Sequence, residues 1–386
     1  MKFTKFLALV MACVMCVCVF AACQQNNGNN ENNGEGTYKL GLTGPLTGPY
    51  AIYGTAAAYG AQIAVDEINA KGGVQFEFKT EDDQGDGEIA VNAYHSLLDW
   101  GMDVLVGTVT SGACIAVSAE TYADRVFTIT PSASSADVTK GKDNTFQVCF
   151  SDPNQGTGSA KYISNNFSDK KVAIIYRNDD AYSQGIRDTF VAEAAQQDIN
   201  IVYEGTFTEA TQTDFSVQLT ASKSAGADLV FLPIYYQPAS VILTQADQMG
   251  YAPVFFGVDG MDGILTMENF DTKLAEGVML LTPFSADAPD ELTQNFVKAY
   301  QEKYGEIPNQ FAADGYDAIY VLYNVLEAAG CTPDMSAEEL CEKLIAVMPE
   351  IKYTGLTGQG LTWNAEGEVS KDPLAVVIKD GVYVTP

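Results

Sequence analysis

The sequence predicts an α/β protein made of two lobes, each a doubly wound parallel sheet. Short apolar runs of strand length alternate with longer runs of helical period from residue 38 onward. The same alternation begins again at Lys171, which indicates a second lobe of similar build. Small, hydroxyl-rich turns at 108–113 and 131–135 follow two of the predicted strands, as is typical of the ligand-binding edge of such a sheet.

The amino-terminal 22 residues have a different character. Lys2 and Lys5 precede the apolar run 6–20, which is short for a membrane span and typical of a signal peptide. Residues 19–23 resemble the lipoprotein box of exported bacterial proteins. This resemblance implies cleavage before Cys23 and lipidation of its thiol, which anchors the protein to the lipid bilayer. The alternative is ordinary cleavage that leaves Cys23 as a free thiol.

Residues 23–37 are predicted to be a lipid-anchored flexible tether. Residues 24–36 are rich in Gln, Asn and Gly and contain no apolar side chain. The chain of 386 residues carries a formal net charge of −29, and the predicted cleavage removes two lysines and no acid. This charge argues against nucleic acid as a partner and against docking on anionic lipid through a basic patch.

Four cysteines besides Cys23 remain after the predicted cleavage. They are Cys114, Cys149, Cys331 and Cys341. None has the spacing of a zinc site, and we expect neither a metal nor a cofactor. Two alternatives remain for these cysteines. Export permits a disulfide between Cys331 and Cys341, and buried free thiols are the other possibility.

The first lobe is predicted from three strand–helix repeats. In the second repeat, apolar side chains recur at i, i+3, i+4, i+7 and i+8, the spacing of one helical face: Ala90, Ala93, Tyr94, Leu97 and Leu98. Strands are expected at 38–43, 74–80, 104–107 and 126–130, and helices at 51–70, around 90–98 and at 111–124.

The second lobe repeats this pattern. Strands are expected at 171–176, 200–204, 228–232 and 253–257, with helices at 184–197, 215–224 and 238–249 between them. After a segment at 277–282 come two long helices, at 291–304 and 310–329, and a third opened by a capping box at Ser336 and Glu339. The dipeptide Asp380-Gly381 predicts a hairpin turn between strands at 374–378 and 382–384.

Ser111 carries the first functional hypothesis. It lies where a predicted strand gives way to a helix, so that free backbone N–H groups and the positive end of the helix dipole meet there. The turn at 131–135 should lie at the same edge of the sheet. We therefore expect this edge to hold a carboxylate. The alternative is that Ser111 is only a helix N-cap.

Several motifs, in their order and spacing, resemble the type I periplasmic binding proteins that serve branched-chain amino-acid ABC transporters. The resemblance covers nearly all of residues 38–386. Its carriers are Gly-Leu-Thr-Gly-Pro-Leu-Thr-Gly-Pro at 41–49, the run at 60–73, Glu-Asp-Asp at 81–83, Thr-Pro-Ser-Ala-Ser at 130–134, Gly-Val-Asp-Gly at 257–260 and Tyr-Asp-Ala at 316–318.

The resemblance implies two lobes joined by three crossovers, with the ligand in the cleft between them. The crossovers are expected near Pro153, Pro283 and Leu361. Lobe 1 is then 38–153 plus 284–361, and lobe 2 is 154–283 plus 362–386.

The resemblance also implies a role for individual polar residues. Ser111 matches a serine whose hydroxyl contacts the α-carboxylate of the ligand. Ser132 matches a position that contacts the ligand through its backbone, and Ser134 matches a hydroxyl residue near the ligand carboxylate and ammonium. Asp259 matches an acid that pairs with the α-ammonium, where the family often has Glu. A turn-forming Asp is the alternative for Asp259, because it follows a strand and precedes Gly260.

Three aromatic residues match positions that wall the cleft in the family. They are Tyr53, Tyr182 and Tyr236, and Tyr235 stands beside the last of these. The resemblance therefore implies a lipid-anchored, extracytoplasmic monomer that binds a neutral amino acid, branched-chain or otherwise apolar or aromatic, and delivers it to an ABC permease.

The sequence also offers two alternatives to import. A sensory binding protein would present an amino acid or a small amide to a membrane receptor, and the sequence does not separate it from a transport protein. An exported hydrolase is disfavoured, because His95 is the single histidine and lies in mid-helix, away from the expected cleft. We expect no catalytic residue.

Overall fold

The computed structural model describes residues 36–386. The predictions of a signal peptide at 1–22, of lipidation at Cys23 and of most of the tether concern residues outside this range. Within it, no helix combines the length and the apolarity that a membrane crossing requires.

The first sheet has five strands, all parallel, in the order β2-β1-β3-β4-β5. In chain order the elements are β1 (Tyr38–Gly44), α1 (Ala51–Lys71), β2 (Phe76–Asp82), α2 (Gly87–Trp100), β3 (Val104–Gly107), α3 (Ser111–Asp124), β4 (Thr128–Thr130) and β5 (Thr145–Gln147). Strands β3, β4 and β5 are buried throughout, because helices cover both faces of a doubly wound sheet.

The chain then builds a second body around another sheet. Its elements are α4 (Asp152–Asn166), β6 (Lys171–Arg177), α5 (Ala181–Gln196), β7 (Asn200–Phe207), α6 (Ser216–Ser224), β8 (Leu229–Leu232), α7 (Tyr236–Gln248), β9 (Val254–Gly257) and β10 (Met279–Thr282). Helix α4 packs on α5. The five strands from β6 to β10 pair in parallel.

The last third of the chain contributes helices and strands to both bodies. It forms α8 (Glu291–Tyr304), α9 (Gln310–Ala328), α10 (Ala337–Val347), a small hairpin of β11 (Tyr353–Gly355) and β12 (Gly358–Leu361), then β13 (Leu374–Lys379) and β14 (Val382–Val384). Strand β13 pairs antiparallel with β10, which completes a seven-stranded sheet in the order β14-β13-β10-β9-β8-β6-β7. We call the body around the five-stranded sheet the first lobe and the other the second lobe.

Helix α9 returns to the first lobe and packs along α1. Two glycines permit the close approach of the helices. A Cβ atom at Gly60 would lie 1.8 Å from the carbonyl oxygen of Ala312, and one at Gly315 would lie 2.2 Å from that of Ala57. Any side chain at either position would therefore push the helices apart.

The alternation of strands and helices is confirmed in both lobes. The hairpin turn is confirmed too, since Asp380 and Gly381 both have positive φ, as a type I′ turn requires. Three features were not predicted: β5, α4 and the hairpin of β11 and β12. Helix α4 buries Gln155, Gly156 and Ser159 among few apolar residues, which left little hydrophobic periodicity to detect.

All four cysteines in the described part of the chain are free thiols, and three of them are buried. The sequence left a disulfide and buried free thiols as alternatives, and the structure shows free thiols. Residues 36–386 contain no disulfide between Cys331 and Cys341.

Candidate functional site

A small cavity lies between the lobes, at the carboxyl ends of the parallel strands of both sheets. The first lobe contributes Tyr53, Val109, Thr110, Ser111, Ser132, Ser134 and Phe311, and the second contributes Tyr182, Tyr235, Asp259 and Gly260. Six of the seven residues predicted from the sequence line it.

Ser111 is the first residue of α3, and Thr110 occupies the N-cap position without a capping side-chain bond. The Ser111 hydroxyl oxygen instead accepts a hydrogen bond of 3.2 Å from the backbone N–H of Ser135. Its own proton therefore remains to be donated. The N-cap alternative for Ser111 is wrong, because the helix begins one residue earlier than that alternative requires. The amino terminus of α3 and the Ser111 hydroxyl form a site that favours an anion.

Hydrogen bonds from two side chains that the sequence analysis did not identify fix the turn at 131–135. Thr130 Oγ1 accepts from the backbone N–H of Ala133 at 3.0 Å and donates to the carbonyl of Thr108 at 2.6 Å. Gln147 Nε2, on β5, donates to the carbonyls of Ala133 and Ser135 at 2.8 and 3.1 Å. The two cavity turns of the first lobe are thereby tied to each other and to the sheet.

Two hydroxyls of these turns have no hydrogen-bond partner among residues 36–386. They are Thr110 Oγ1 and Ser134 Oγ, both buried. Buried hydroxyls are usually satisfied, because an unpaired one costs desolvation free energy. Both residues line the cavity, so a ligand there could pair them. The buried carboxylate of Asp152 also lies beside the Ser134 hydroxyl, which lowers the pKa of Asp152.

Asp259 is the acidic residue of the second lobe at the cavity. It follows β9 and is 4% exposed. Its Oδ1 accepts from the Tyr182 hydroxyl at 2.5 Å and from the backbone N–H of Gly260 at 2.7 Å. The Gly260 bond fits a local turn, but burial and the Tyr182 bond go beyond what a turn-forming Asp needs.

The carboxylate of Asp259 has no basic partner among residues 36–386. Burial raises its pKa to about 7, against the hydrogen bonds from Tyr182 and Gly260, which lower it. A buried acid without a cation is costly to ionise. The arrangement therefore favours a ligand that brings its own positive charge.

Four aromatic rings close the cavity around these polar groups. Tyr53 and Phe311 of the first lobe have ring centroids 4.6 Å apart, and Tyr182 and Tyr235 of the second stack at 4.8 Å. Tyr53 and Tyr235 meet across the cleft at 5.8 Å. The Tyr53 hydroxyl also bonds to the carbonyl of Gly260 on the other lobe.

Tyr235, and not Tyr236, lines the cavity. Tyr236 begins α7 and points away, so that its hydroxyl donates to the carbonyl of Pro49 at 2.7 Å. Tyr235 lies in the turn after β8, which ends at the cleft. The sequence analysis names Tyr236 for this position, whereas the structure has Tyr235 there. It also misses Phe311, the second residue of α9, whose helix could not be placed at the cleft without the fold.

Comparison with known proteins agrees with this geometry. The sequence model of the periplasmic binding protein family matches residues 37–381. The Leu/Ile/Val-binding protein BraC3 of Rhizobium johnstonii is 33% identical over 309 residues, which is 77% of this chain and 81% of that protein.

Two solved structures extend the comparison. The branched-chain amino acid transporter substrate-binding protein LivJ of Streptococcus pneumoniae, in complex with isoleucine, has a TM-score of 0.80 and 30% identity and covers 91% of this chain and 100% of its own. A solute-binding protein of an ABC transporter from R. palustris, in complex with benzoate, has a TM-score of 0.80 at 22% identity, covers 90% of this chain and 95% of its own, and shares the fold. The predicted resemblance is confirmed, and this chain belongs to the periplasmic binding protein family, with the type I fold.

Proposed function

We propose that this chain is the substrate-binding protein of an ABC importer and closes its two lobes on a neutral amino acid. The observation that carries the proposal is a pair of opposed charge sites in one small cavity. A helix amino terminus with donor hydroxyls lies on the first lobe, and an acid without a basic partner lies on the second. A zwitterion has the two charges that such a cavity can pair.

The roles follow from the donors and acceptors. Ser111, whose oxygen already accepts one bond, donates to the α-carboxylate. Ser132 contributes its backbone polar groups, and Ser134 contributes its hydroxyl beside them. Asp259 accepts from the α-ammonium. Charge-assisted hydrogen bonds contribute about 1.5–3 kcal/mol each, so a few of them approach the roughly 8 kcal/mol that a micromolar dissociation constant requires.

The side chain of the ligand is proposed to be apolar. The cavity wall is aromatic, with Tyr53, Tyr182, Tyr235 and Phe311, and none of its lining residues is a lysine, arginine or histidine that would pair an acidic side chain. The relatives named as Leu/Ile/Val-binding and the isoleucine complex of LivJ support leucine, isoleucine or valine as first candidates. Another neutral amino acid with an apolar or aromatic side chain fits the same wall.

The family implies a location outside the cytoplasm. We further propose that the protein is held at the membrane by lipid on Cys23, with the residues up to 37 as tether, and that the closed lobes, bounded near Pro153, Pro283 and Leu361, dock on a permease as a monomer. Mass spectrometry of the mature amino terminus tests the anchor. A diacylated Cys23 is expected, and an unmodified one would contradict it.

A thermal-shift screen tests the ligand class. The mature protein, solubilised in detergent, is unfolded and refolded to remove bound ligand, then screened against the twenty amino acids, small amides and benzoates. A ligand at about 100 times its dissociation constant adds about 2.7 kcal/mol of stability. Shifts with a few neutral amino acids, recovered unchanged afterwards, are the expected result. Shifts only with molecules that lack an ammonium would overturn the role of Asp259.

A further inference from the structure

Helix α9 of the first lobe begins against an acidic side chain of the second lobe. Gln310, the first residue of α9, donates from its backbone N–H to Asp262 Oδ2 at 3.1 Å and from its side-chain Nε2 to the same oxygen at 3.2 Å. Asp262 is 4% exposed and Gln310 is 1% exposed. The two residues make this buried contact across the cleft.

The contact has the form of a helix cap supplied by the opposite lobe. Helix α9 has its own N-cap, Asn309, whose side chain accepts from the backbone N–H of Ala312. The N–H of Gln310 is another of the first-turn donors that a helix leaves free, and the Asp262 carboxylate takes it at the positive end of the helix dipole. A full negative charge is well placed there.

The contact lies beside the ligand cavity but outside it. Asp262 and Gln310 are not among the residues that line the cavity. Each is close in sequence to one that does, since Asp259 is three residues before Asp262 and Phe311 follows Gln310. Gln310 Nε2 also donates to the carbonyl of Asp259 at 3.3 Å. The turn that carries the proposed ammonium acceptor is therefore held directly by the first lobe.

The Arg177 contact across the cleft responds differently to opening. Arg177 Nη1 donates to the Tyr50 hydroxyl at 2.9 Å, but Arg177 is also paired with Asp179 and Glu209 of its own lobe. It keeps those partners when the lobes part. Asp262 Oδ2 receives two donors from Gln310, and Oδ1 accepts from the N–H of Gly263 at 2.8 Å. The Tyr383 hydroxyl of the same lobe lies beside this carboxylate and lowers its pKa. Opening therefore removes both bonds from Gln310 and leaves the contact with Tyr383.

We infer that Asp262 and Gln310 form a latch that shifts the lobes toward the closed form without contact with the ligand. Asp262 is thus a positioning residue, and the inference rests on the lobe closure of the proposed function. A bond that exists only in the closed form raises the population of that form, and any ligand that selects the closed form gains affinity by the same factor. For two hydrogen bonds to a carboxylate at a helix terminus we expect about a tenfold shift.

The test uses spin labels at one exposed residue of each lobe, Tyr122 on α3 and Val217 on α6, with the partly exposed Cys331 replaced by Ser. Pulsed electron resonance on the mature protein gives the distance distribution between the lobes, with and without isoleucine. Stopped-flow gives the dissociation rate of isoleucine. Gln310→Glu places two carboxylates against each other and removes the Nε2 donor. We expect it to reduce the ratio of closed to open form about tenfold and to speed dissociation accordingly.

The double variant Asp262→Asn/Gln310→Glu supplies the sharper result. The new amide can donate to the new carboxylate, so the closed population and the slow dissociation should return, which a general loss of stability would not produce. Asp290→Ala is the matched control, because Asp290 caps α8 within its own lobe by accepting from Thr293 N–H at 2.9 Å, and Ala removes this cap. It should lower the melting temperature and leave the distances unchanged.

Unchanged distances and unchanged dissociation in Gln310→Glu would overturn the latch, as would a double variant no more closed than the single one. The distances measured without ligand do not depend on which ligand the cavity takes. A latch that responds while isoleucine fails to bind would therefore support this inference and count against the proposed ligand class alone.

Discussion

The Tyr182 hydroxyl and Asp259 Oδ1 are 2.5 Å apart, and the same hydroxyl oxygen accepts the backbone N–H of Gly260 at 2.9 Å. Burial and the nearby Asp259 raise the pKa of Tyr182 well above its usual value, so the phenol keeps its proton and donates it. Both bonds to the Asp259 carboxylate, from Tyr182 and from Gly260, end on Oδ1. Oδ2 accepts neither of them, and the Gln155 side chain beside the carboxylate also lowers its pKa.

Tyr182→Phe should weaken isoleucine binding about tenfold, because it removes the donor that stabilises ionised Asp259. Calorimetric titration at pH 7.5 measures the change. Tyr235→Phe is the matched control, since it removes a phenolic hydroxyl from the same stacked pair of rings without a bond to Asp259. Equal losses in the two variants would show that the bond to Asp259 has no special role.

Asp259→Asn should weaken amino-acid binding by tenfold or more, yet raise the stability of the unliganded protein at neutral pH. Burial raises the pKa of Asp259 to about 7 from an ordinary 3.8. A group with a raised pKa contributes its full stability below about pH 4 and loses it as the pH rises to 7. At 1.4 kcal/mol per unit, the ionised side chain costs up to about 4 kcal/mol.

Urea unfolding without ligand at pH 5 and pH 8 measures this cost. The unsubstituted protein should lose stability over that interval, and Asp259→Asn should lose less. A variant that is less stable than the parent at pH 8 would contradict the assignment of Asp259 as a strained, ligand-directed acid.

Isoleucine affinity should fall as the pH drops below about 7. The ligand ammonium requires ionised Asp259, so binding at pH 6 must release the proton of Asp259. Well below pH 7, the affinity should fall by at most tenfold for each pH unit. Calorimetry in phosphate and in Tris, which differ in ionisation enthalpy, should show proton release at pH 6 and little at pH 8. A dissociation constant that is flat from pH 5.5 to 8 would refute the pairing.

Ser111→Ala should weaken amino-acid binding about tenfold, since a charge-assisted hydrogen bond to the ligand carboxylate is lost. Ser118→Ala provides the control on the same helix, because the Ser118 hydroxyl donates only to the carbonyl of Ile115. Calorimetry should show a change in affinity for the first variant only. If both variants bind alike, the carboxylate is held by backbone N–H groups alone.

Lys371→Met should destabilise the protein by about 3–5 kcal/mol. Lys371 lies in the passage between β12 and β13, and its ammonium pairs with Asp314 of α9 at 3.0 Å, with both side chains at most 3% exposed. It also donates to Thr357 Oγ1 at 2.6 Å. Removal of the cation leaves a buried carboxylate unpaired.

Urea unfolding measures that loss, and Lys371→Met/Asp314→Leu should recover most of it, because neither charge of the pair is then left buried. A single variant as stable as the parent would show that Asp314 is already neutral in the fold.

The local sequence determined the elements of each lobe and several of their ends. Hydrophobic period separates helix from strand without reference to the rest of the chain. The same holds for Asp380-Gly381 in its hairpin turn and for Ser336 and Glu339, whose capping box is present. These features depend on neighbours within a few residues, which is why they could be predicted.

Only the tertiary structure decided which side chains meet at the cleft. Tyr235 and Tyr236 are adjacent and chemically identical, and the direction of the turn after β8 selects the first for the cavity. Phe311 arrives on a helix that the chain builds after leaving the second lobe. Asp262 and Gln310 are 48 residues apart and belong to different lobes. Their contact arises from the packing of two sheets and a returning helix, and no period or motif in either segment encodes it.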